Sequence, residues 1–227
     1  MAVLLLRLAA PLQAWGDESK FETRRTMPYP TKSGVVGMVA AALGRSRSES
    51  VSDLTALGFG VRIDREGELL CDFHTVKTAK QSYITYRHYL SDAIFLAGLE
   101  SDDKAFLESI AGALKTPAYP LFLGRRSCPP TFPLVLGIQE KSLYDALSDE
   151  PWLLSEYRQK RIYSDKDRKL HIIVDDSTSD VMIRDVPISF SQKRREFGWR
   201  GVKDCGYIEK TLPDEIETAH DPFKELR

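Results

Sequence analysis

The order of strand-like and helix-like segments in the first half of the chain is the feature that most restricts its fold. Residues 3–8 form a short run rich in Val and Leu, which is typical of a buried strand. Pro11 ends this run, and the polar, proline-containing residues 16–30 predict a loop. Ser33 is then placed as the N-cap of a first helix, and Gly44 stands where such a helix would end.

The segments that follow complete a mixed pattern. After a second short helical stretch they predict a hairpin of two strands around Glu66 and Gly67, a third strand, a helix with apolar residues at helical spacing, and a final strand: residues 60–64, 69–76, 93–99, 102–114 and 121–123. The order βα, ββ, αβ is the split βαβ arrangement of ferredoxin-like and RNA-recognition (RRM-like) folds. In that arrangement two helices cover one face of an antiparallel sheet, and we expect the other face to be free for RNA.

Two parts of the chain lie outside this pattern. Residues 78–88 mix tyrosines with polar residues without a clean period, so we expect an irregular, extended excursion from the hairpin. Beyond residue 128 the chain is richer in proline and in short strand-like runs, at residues 134–138, 171–174 and 181–188. The sequence therefore predicts an α+β protein, with a ferredoxin-like domain over residues 1–128 and a smaller β-rich part over residues 129–227.

Composition and charge limit the classes of function. A hydrophobic fraction of 42% and a charged fraction of 29% are those of a globular protein with a packed core. The net charge of −1 argues against a free-standing, non-specific nucleic-acid binder. The basic residues are nevertheless clustered, at Arg24, Arg25 and Lys32, at Arg125 and Arg126, along residues 158–169, and at Lys193, Arg194, Arg195, Arg200 and Lys203.

Membrane, disulfide and metal chemistry find no support in the sequence. No apolar stretch is long enough to span a membrane or to act as a secretion signal, so we expect a cytoplasmic protein. The three cysteines are odd in number and widely spaced, which gives neither a disulfide framework nor a metal-binding pair. The four histidines fit no metal-ligand spacing. We therefore expect no metal and no cofactor.

Motifs spread along nearly the whole chain give a more specific indication. Near the start, LRLAAPLQAWG (6–16) is followed by TR (23–24) and PTKSGVVG (30–37). Later come TYRHYLSDA (85–93), PLFLGRRSCPP (120–130) and, more weakly, RDVP (184–187). In this order and spacing the motifs resemble the CasD family of Cascade, the type I-E CRISPR surveillance complex, within the RAMP superfamily of repeat-associated RNA-binding proteins.

The resemblance implies a subunit without catalytic activity that binds the repeat-derived 5′ handle of the guide RNA (crRNA). Its implied place is at the end of the backbone filament, between the backbone subunit CasC and the large subunit CasA, in a ribonucleoprotein complex of antiviral defence. Target DNA would be met only through the assembled complex. The excursion around residues 77–92 is implied to be a thumb-like projection that packs between guide nucleotides and the adjacent backbone subunit.

Candidate RNA contacts fall near the first helix and in a glycine-containing loop. Lys32 and Ser33 lie at the predicted helix N-terminus, where free N–H groups and the helix dipole favour a phosphate. Arg24, after the first strand, is a further candidate. A predicted strand precedes a loop that resembles the glycine-rich loop of the superfamily, where a missing side chain admits the RNA backbone and guanidinium groups bind phosphate; its residues are Gly124, Arg125, Arg126 and Ser127.

The excursion adds aromatic and basic candidates. Tyr86, Arg87 and His88 lie together within it, and an aromatic ring there could stack on a base. Facing the core or a protein neighbour is an equally good interpretation for any one tyrosine. Gln13 and Trp15, by contrast, are expected to fix the first loop by hydrogen bonding and packing.

Two other functions stay open at the level of sequence. A related subtype uses its version of this subunit as a metal-independent endoribonuclease that processes repeat RNA, and a base, an acid and a cation for such a site are available on paper in His88, Tyr86, Lys77 and Lys80. Nothing in the sequence shows that these residues converge. A protein-interaction module with incidental basic patches is the third interpretation, since the near-neutral net charge permits it.

Overall fold

A computed structural model describes residues 1–16, 22–77, 81–159 and 169–210. Lys80, the basic residues 160–168 and the acidic residues 214–217 lie outside these ranges. The strands are β1 Ala2–Ala9, β2 Leu12–Gln13, β3 Thr23–Arg24, β4 Gly58–Arg65, β5 Glu68–Lys77, β6 Ser82–Ser91, β7 Ile94–Ser101, β8 Val135–Gln139, β9 Lys169–Asp175, β10 Met182–Ser189 and β11 Glu196–Glu209. The helices are α1 Lys32–Ala42, α2 Ser52–Thr55, α3 Lys104–Lys115, α4 Leu143–Asp149 and α5 Glu156–Gln159. The fold is mixed α+β, as predicted. Within the described ranges no helix is both long and apolar enough to cross a membrane.

Seven strands form one sheet in the order β10-β11-β9-β4-β7-β1-β8. Every pair of neighbours in this sheet is antiparallel. Strand β1 lies between β7 and β8, so that Leu5 is opposite Gly98 on one side and Gly137 on the other. The apolar run that opens the chain is therefore a buried inner strand, as the sequence predicted.

Helices cover both faces of the sheet around β1. On one face Leu4, Leu6 and Leu8 pack in the main core with α1, α2 and α3. On the other face Val3 and Leu5 pack with apolar residues of α4. The expectation that this second face is free for RNA is therefore wrong. A strand buried on both faces is apolar without alternation, which is what residues 3–6 show.

The N-cap of α1 is Thr31 and not Ser33. The backbone of Thr31 is extended, with φ −88° and ψ 149°, and its hydroxyl accepts a hydrogen bond from the Gly34 N–H. Ser33 lies inside the first turn, one residue after the helix begins. The other end is as predicted, because Gly44 follows the helix with a φ of +76°.

Strand β5 does not pair with β4, so the predicted hairpin around Glu66 and Gly67 is wrong. The chain turns at Gly67 and leaves the large sheet, and β5 then pairs with β6 over ten residue pairs. The irregular excursion expected at residues 78–88 is thus largely the regular strand β6. We call this hairpin the β5–β6 arm. Its base is fixed by β2 and β3, which pair with the last half of β6.

The strand that ends the first half of the fold is β8, not residues 121–123. Those three residues form no strand, and Val135–Gln139 occupies the sheet edge beside β1 instead. The boundary between domains at residue 128 stays a prediction. Strands from both sides of it share the large sheet, since β8 pairs with β1 and β9 pairs with β4.

Candidate nucleic-acid interface

A groove of about 1070 Å³ opens between α1, residues 119–129 and the turn at residues 190–195 that joins β10 to β11. Among the described residues that line it none is acidic, and four are arginines: Arg45, Arg47, Arg126 and Arg195. A concave surface with positive charge and no carboxylate in its wall attracts phosphate. We call it the arginine groove.

Small residues of α1 form one wall of the arginine groove. Ser33, Gly34 and Gly37 line it. A Cβ atom on Gly34 would lie 2.8 Å from the ring of Trp15, and one on Gly37 would lie 3.4 Å from the ring of Phe190. Gly34 is therefore explained by the packing of Trp15, which is 1% exposed and has the structural role expected of it.

Gly124 holds its loop against the beginning of the chain. Its φ is +82°, and a Cβ atom there would lie 1.5 Å from the carbonyl oxygen of Ala14. The Ala14 N–H donates to the carbonyl of Leu123, and the Leu123 N–H donates to the carbonyl of Cys128. This tight packing by itself requires glycine at position 124, whether or not RNA binds nearby. Gly124 nevertheless borders the arginine groove.

The two arginines that follow Gly124 have different environments. Arg125 is half-buried: its Nη2 donates to the carbonyl oxygens of Arg24 and Arg25 at 3.0 and 3.3 Å, and its guanidinium lies 4.6 Å from the ring centroid of Tyr89. Arg126 is exposed and lines the arginine groove. Arg125 therefore joins segments of the fold, whereas Arg126 presents its charge to the groove.

Ser127, the last residue of the loop motif, is exposed and is not among the groove-lining residues. Its hydroxyl lies 3.8 Å from the sulfur of Cys128. The structure thus brings Ser33, Gly124 and Arg126 together and leaves Ser127 beside them. That any of these residues contacts RNA remains a prediction.

Lys32 takes part in an internal ion-pair network instead of facing a ligand. Its side chain is 7% exposed, its Nζ lies 2.9 Å from Asp175, and its N–H donates to Asp185 at 2.8 Å. Arg200 binds both carboxylates, at 2.5 and 2.6 Å. Burial alone would lower the pKa of Arg200, but its bonds to Asp185 and Asp175 outweigh burial and raise the pKa. A carboxylate of this chain thus occupies the start of α1, where a phosphate was expected.

The remaining predicted residues gather at the base of the β5–β6 arm. Arg24 is opposite Arg87 in the parallel β3–β6 pair, and Tyr86 is 40% exposed. The Nε of Arg87 and the Nδ1 of His88 are buried without a hydrogen-bond partner in the described chain. Because Arg125 donates to the Arg24 carbonyl, this group is joined to the glycine loop but does not line the arginine groove.

The residues considered for a ribonuclease site do not all converge. Lys77 is opposite Ser82 near the tip of the arm, while His88 is opposite Cys71. Six residue positions separate the two pairs along an extended strand, which is about 20 Å. Lysine at that distance cannot stabilise a phosphate attacked beside His88.

Sequence reasoning missed three of the four arginines as site residues. Arg45 and Arg47 follow the end of α1, and Arg195 was noted only as part of a charge cluster. The guanidinium of Arg45 is hydrogen-bonded to the carboxylate of Asp53, and these bonds lower the pKa of Asp53. The available signal was a pair of arginines directly after a helix whose start already carried candidate residues.

Comparisons with known proteins agree with this architecture. The family model described as CRISPR-associated protein (Cas_Cas5) matches residues 3–203. The CRISPR system Cascade subunit CasD of Escherichia coli (strain K12) is 38% identical over 165 residues, which is 61% of this chain and 72% of that protein.

Two solved structures are also similar. A crystal structure of a Cas protein is 42% identical, with a TM-score of 0.68 over 94% of this chain and 96% of the other. A chain of a CRISPR RNA-guided surveillance complex is 32% identical, with a TM-score of 0.76 over 92% of both chains. The resemblance found in the motifs is confirmed, and the protein belongs to the CRISPR-associated protein (Cas_Cas5) family.

Proposed function

We propose that this protein is a non-catalytic subunit of a CRISPR Cascade complex and binds the 5′ handle of the guide RNA. The observation that carries the proposal is the arginine groove, whose described lining contains four arginines and no carboxylate. Family membership and the likeness to the CasD subunit of E. coli support the assignment to such a complex.

The groove offers both kinds of contact that an RNA strand needs. Arg47, Arg126 and Arg195 are exposed and can pair with phosphates, and Arg45 is partly neutralised by Asp53. Much of the remaining lining is apolar and includes the aromatic ring of Phe190. Phosphate contacts of this type make affinity fall with salt and are insensitive to sequence.

The β5–β6 arm is proposed to be the thumb that reaches a backbone subunit. Alternation along the paired strands puts four exposed apolar side chains on one face: Leu69, Phe73, Ile84 and Tyr86. Such a continuous apolar face on a projecting hairpin is typical of a protein–protein contact. We also propose that the chain lies at the end of the backbone filament and there contacts the large subunit of the complex.

The strand order supports a finer assignment of the fold. Reading β8-β1-β7-β4 with antiparallel neighbours gives the order of a split βαβ sheet, with α1 and α3 as its two connecting helices. We therefore propose a ferredoxin-like sheet, as in the RAMP superfamily, whose fourth strand, β8, lies beyond residue 128. Strands β9, β11 and β10 extend its sheet and are three of the four described strands beyond residue 128.

A repeat-cleaving enzyme is the alternative, and the geometry favours the scaffold. Lys77 is remote from His88, and Lys80, the other cation considered for this site, lies outside the described residues. The E. coli relative is named as a subunit of Cascade and not as a nuclease. The proposed role is thus RNA binding without RNA cleavage.

The experiment that tests this role measures binding and cleavage of a repeat-derived RNA together. The full chain, alone and with partner subunits, is compared with an Arg126→Ala variant and with Lys141→Ala. Lys141 is the control because it is exposed and basic and adjoins α4 on the opposite face of the sheet, where it pairs with Asp149 at 2.9 Å. Weaker binding by Arg126→Ala alone, with the RNA left intact, supports the proposal; specific cleavage by the protein without metal contradicts it.

A further inference from the structure

A second aromatic and basic surface lies on the β10–β11 hairpin, on the face opposite the one from which Arg200 joins the ion-pair network at the start of α1. Trp199 is 62% exposed, whereas the two other tryptophans, Trp15 and Trp152, are 1% and 8% exposed. Side chains alternate along a strand, so Phe197 and Lys203 lie on the face of β11 that carries Trp199. An exposed ring that adjoins further aromatic side chains is a candidate interaction site, whereas an isolated one is not.

This surface faces away from α1, and it meets the groove at the tip of the hairpin. Arg195 lines the groove, and its guanidinium lies 5.3 Å from the ring centroid of Phe197. From the neighbouring strand, the Nε of Arg184 donates to the carbonyl of Phe197 at 3.3 Å. Basic and aromatic side chains therefore extend from the groove toward Trp199.

The charge of the surface points to a polyanion. Residues 193–203 contain five basic residues and one acidic residue, Glu196. The charge of Arg200 is paired within the internal ion-pair network, and Arg194 lies 3.2 Å from the carboxylate of Glu196. The exposed Lys193 and Arg195 leave the tip of the hairpin positive, whereas Lys203 lies near the carboxylates of Asp204 and Asp176.

These properties distinguish RNA from a protein neighbour. The buried core of a protein–protein interface is depleted of charge, and lysine is rare there. Single-stranded nucleic-acid sites combine exposed aromatic rings, on which bases stack, with cations that follow the backbone. Trp199 among lysines and arginines has the second composition.

We propose that Trp199 is a stacking platform for an unpaired base of the RNA that occupies the arginine groove, with the exposed cations of residues 193–203 contacting the adjoining phosphates. The proposal rests on the proposed function and adds to it a contact of different chemistry. The groove binds the backbone, whereas the platform requires a base.

Tryptophan fluorescence of the full chain tests the platform directly. A short oligoadenylate is titrated into the wild type and into Trp199→Phe, and the difference in emission isolates Trp199, the exposed tryptophan among the three. Long-chain inorganic polyphosphate is the control, because it carries negative charge but no base. The expected result is that oligoadenylate quenches Trp199 and that polyphosphate does not.

Affinity gives an independent readout. Trp199→Leu is expected to raise the Kd for oligoadenylate roughly 5- to 150-fold, the range for losing one stacked base, whereas Trp199→Phe keeps most of the affinity. Because the side chain is largely exposed, both variants are expected to fold.

Three results overturn the platform. Unchanged Trp199 emission with binding still weakened by Arg126→Ala refutes the platform and leaves the groove in place. Equal quenching by polyphosphate shows a response to charge alone. Loss of partner-subunit binding by Trp199→Leu, at unchanged RNA affinity, shows a protein contact. Failure of Arg126→Ala to weaken binding is a different result, since it refutes the proposed function itself.

Discussion

Replacing Arg125 is expected to weaken the fold while leaving the proposed RNA contact of the groove in place. The side chain donates two hydrogen bonds to main-chain carbonyls of residues 24 and 25 and stacks on Tyr89. It therefore ties the loop after Gly124 to the base of the β5–β6 arm. Arg125→Ala removes all three contacts at once.

The magnitude follows from the contacts. A hydrogen bond from a charged donor contributes about 1.5–3 kcal/mol when buried, and a cation–π contact at an exposed site contributes about 0.5–1 kcal/mol. Arg125 is half-buried and its second hydrogen bond is long at 3.3 Å, so solvent reduces these values. We expect a loss of about 2 kcal/mol in the free energy of unfolding, which for a chain of this size lowers Tm by about 4–8 °C.

Thermal unfolding and RNA titration of the same preparations provide the assay. Arg125→Lys is the informative control, because lysine keeps the charge but lacks the planar fork that donates to both carbonyls while stacking. It should be destabilised almost as much as Arg125→Ala. An alanine variant that is as stable as the wild type, or a lysine variant that restores stability fully, would refute this reasoning.

Three further predictions concern the packing of Gly124, the buried ion-pair network and the proposed absence of RNA cleavage. Gly124→Ala should lower Tm strongly, because its Cβ would meet the Ala14 carbonyl at 1.5 Å; Gly16→Ala, with nothing within 4 Å, should not, and equal Tm values would contradict the packing account. Asp185→Asn should cost about 3–5 kcal/mol in urea unfolding, since it leaves buried cations underpaired; a change below about 1 kcal/mol would show that the network is not needed. Neither the wild type nor His88→Ala is expected to cut repeat RNA. Cleavage by the wild type that is lost in His88→Ala would instead support the ribonuclease function.

Local elements were predictable because their signals are local. Strand β1 follows from an apolar run that only Arg7 interrupts, and α3 follows from Leu107, Ile110 and Leu114 at helical spacing, all of which are buried. The predicted cap, Ser33, was wrong by two residues. Thr31 and Ser33 both carry a capping hydroxyl, and only the extended backbone after Pro30 decides between them.

Pairing between strands that are distant in the sequence was harder to predict. The turn at Gly67 looked like a hairpin turn, yet β5 leaves β4 and pairs with β6, because register is settled by packing across the whole sheet. For the same reason the strand at the sheet edge beside β1 is β8, which comes after a long irregular stretch.

Charge patterns identified the cations but not their partners. Lys32 and Arg125 were both assigned to phosphate, and both are used inside the fold. The carboxylates that bind Lys32 lie more than a hundred residues away, at Asp175 and Asp185, so no local pattern reveals them. Arg126 remained available because it lines the groove and no described carboxylate lines the groove with it.

The salt dependence of RNA binding tests the central claim most directly. Affinity for a repeat-derived RNA is measured from about 50 to about 300 mM salt for the wild type, Arg126→Ala and the control Lys141→Ala. The account predicts that Arg126→Ala weakens binding and reduces the slope of log K against log salt by about 0.7, the contribution of one phosphate on a single strand, while Lys141→Ala matches the wild type. Identical slopes and affinities for all three proteins would show that the arginine groove does not bind RNA.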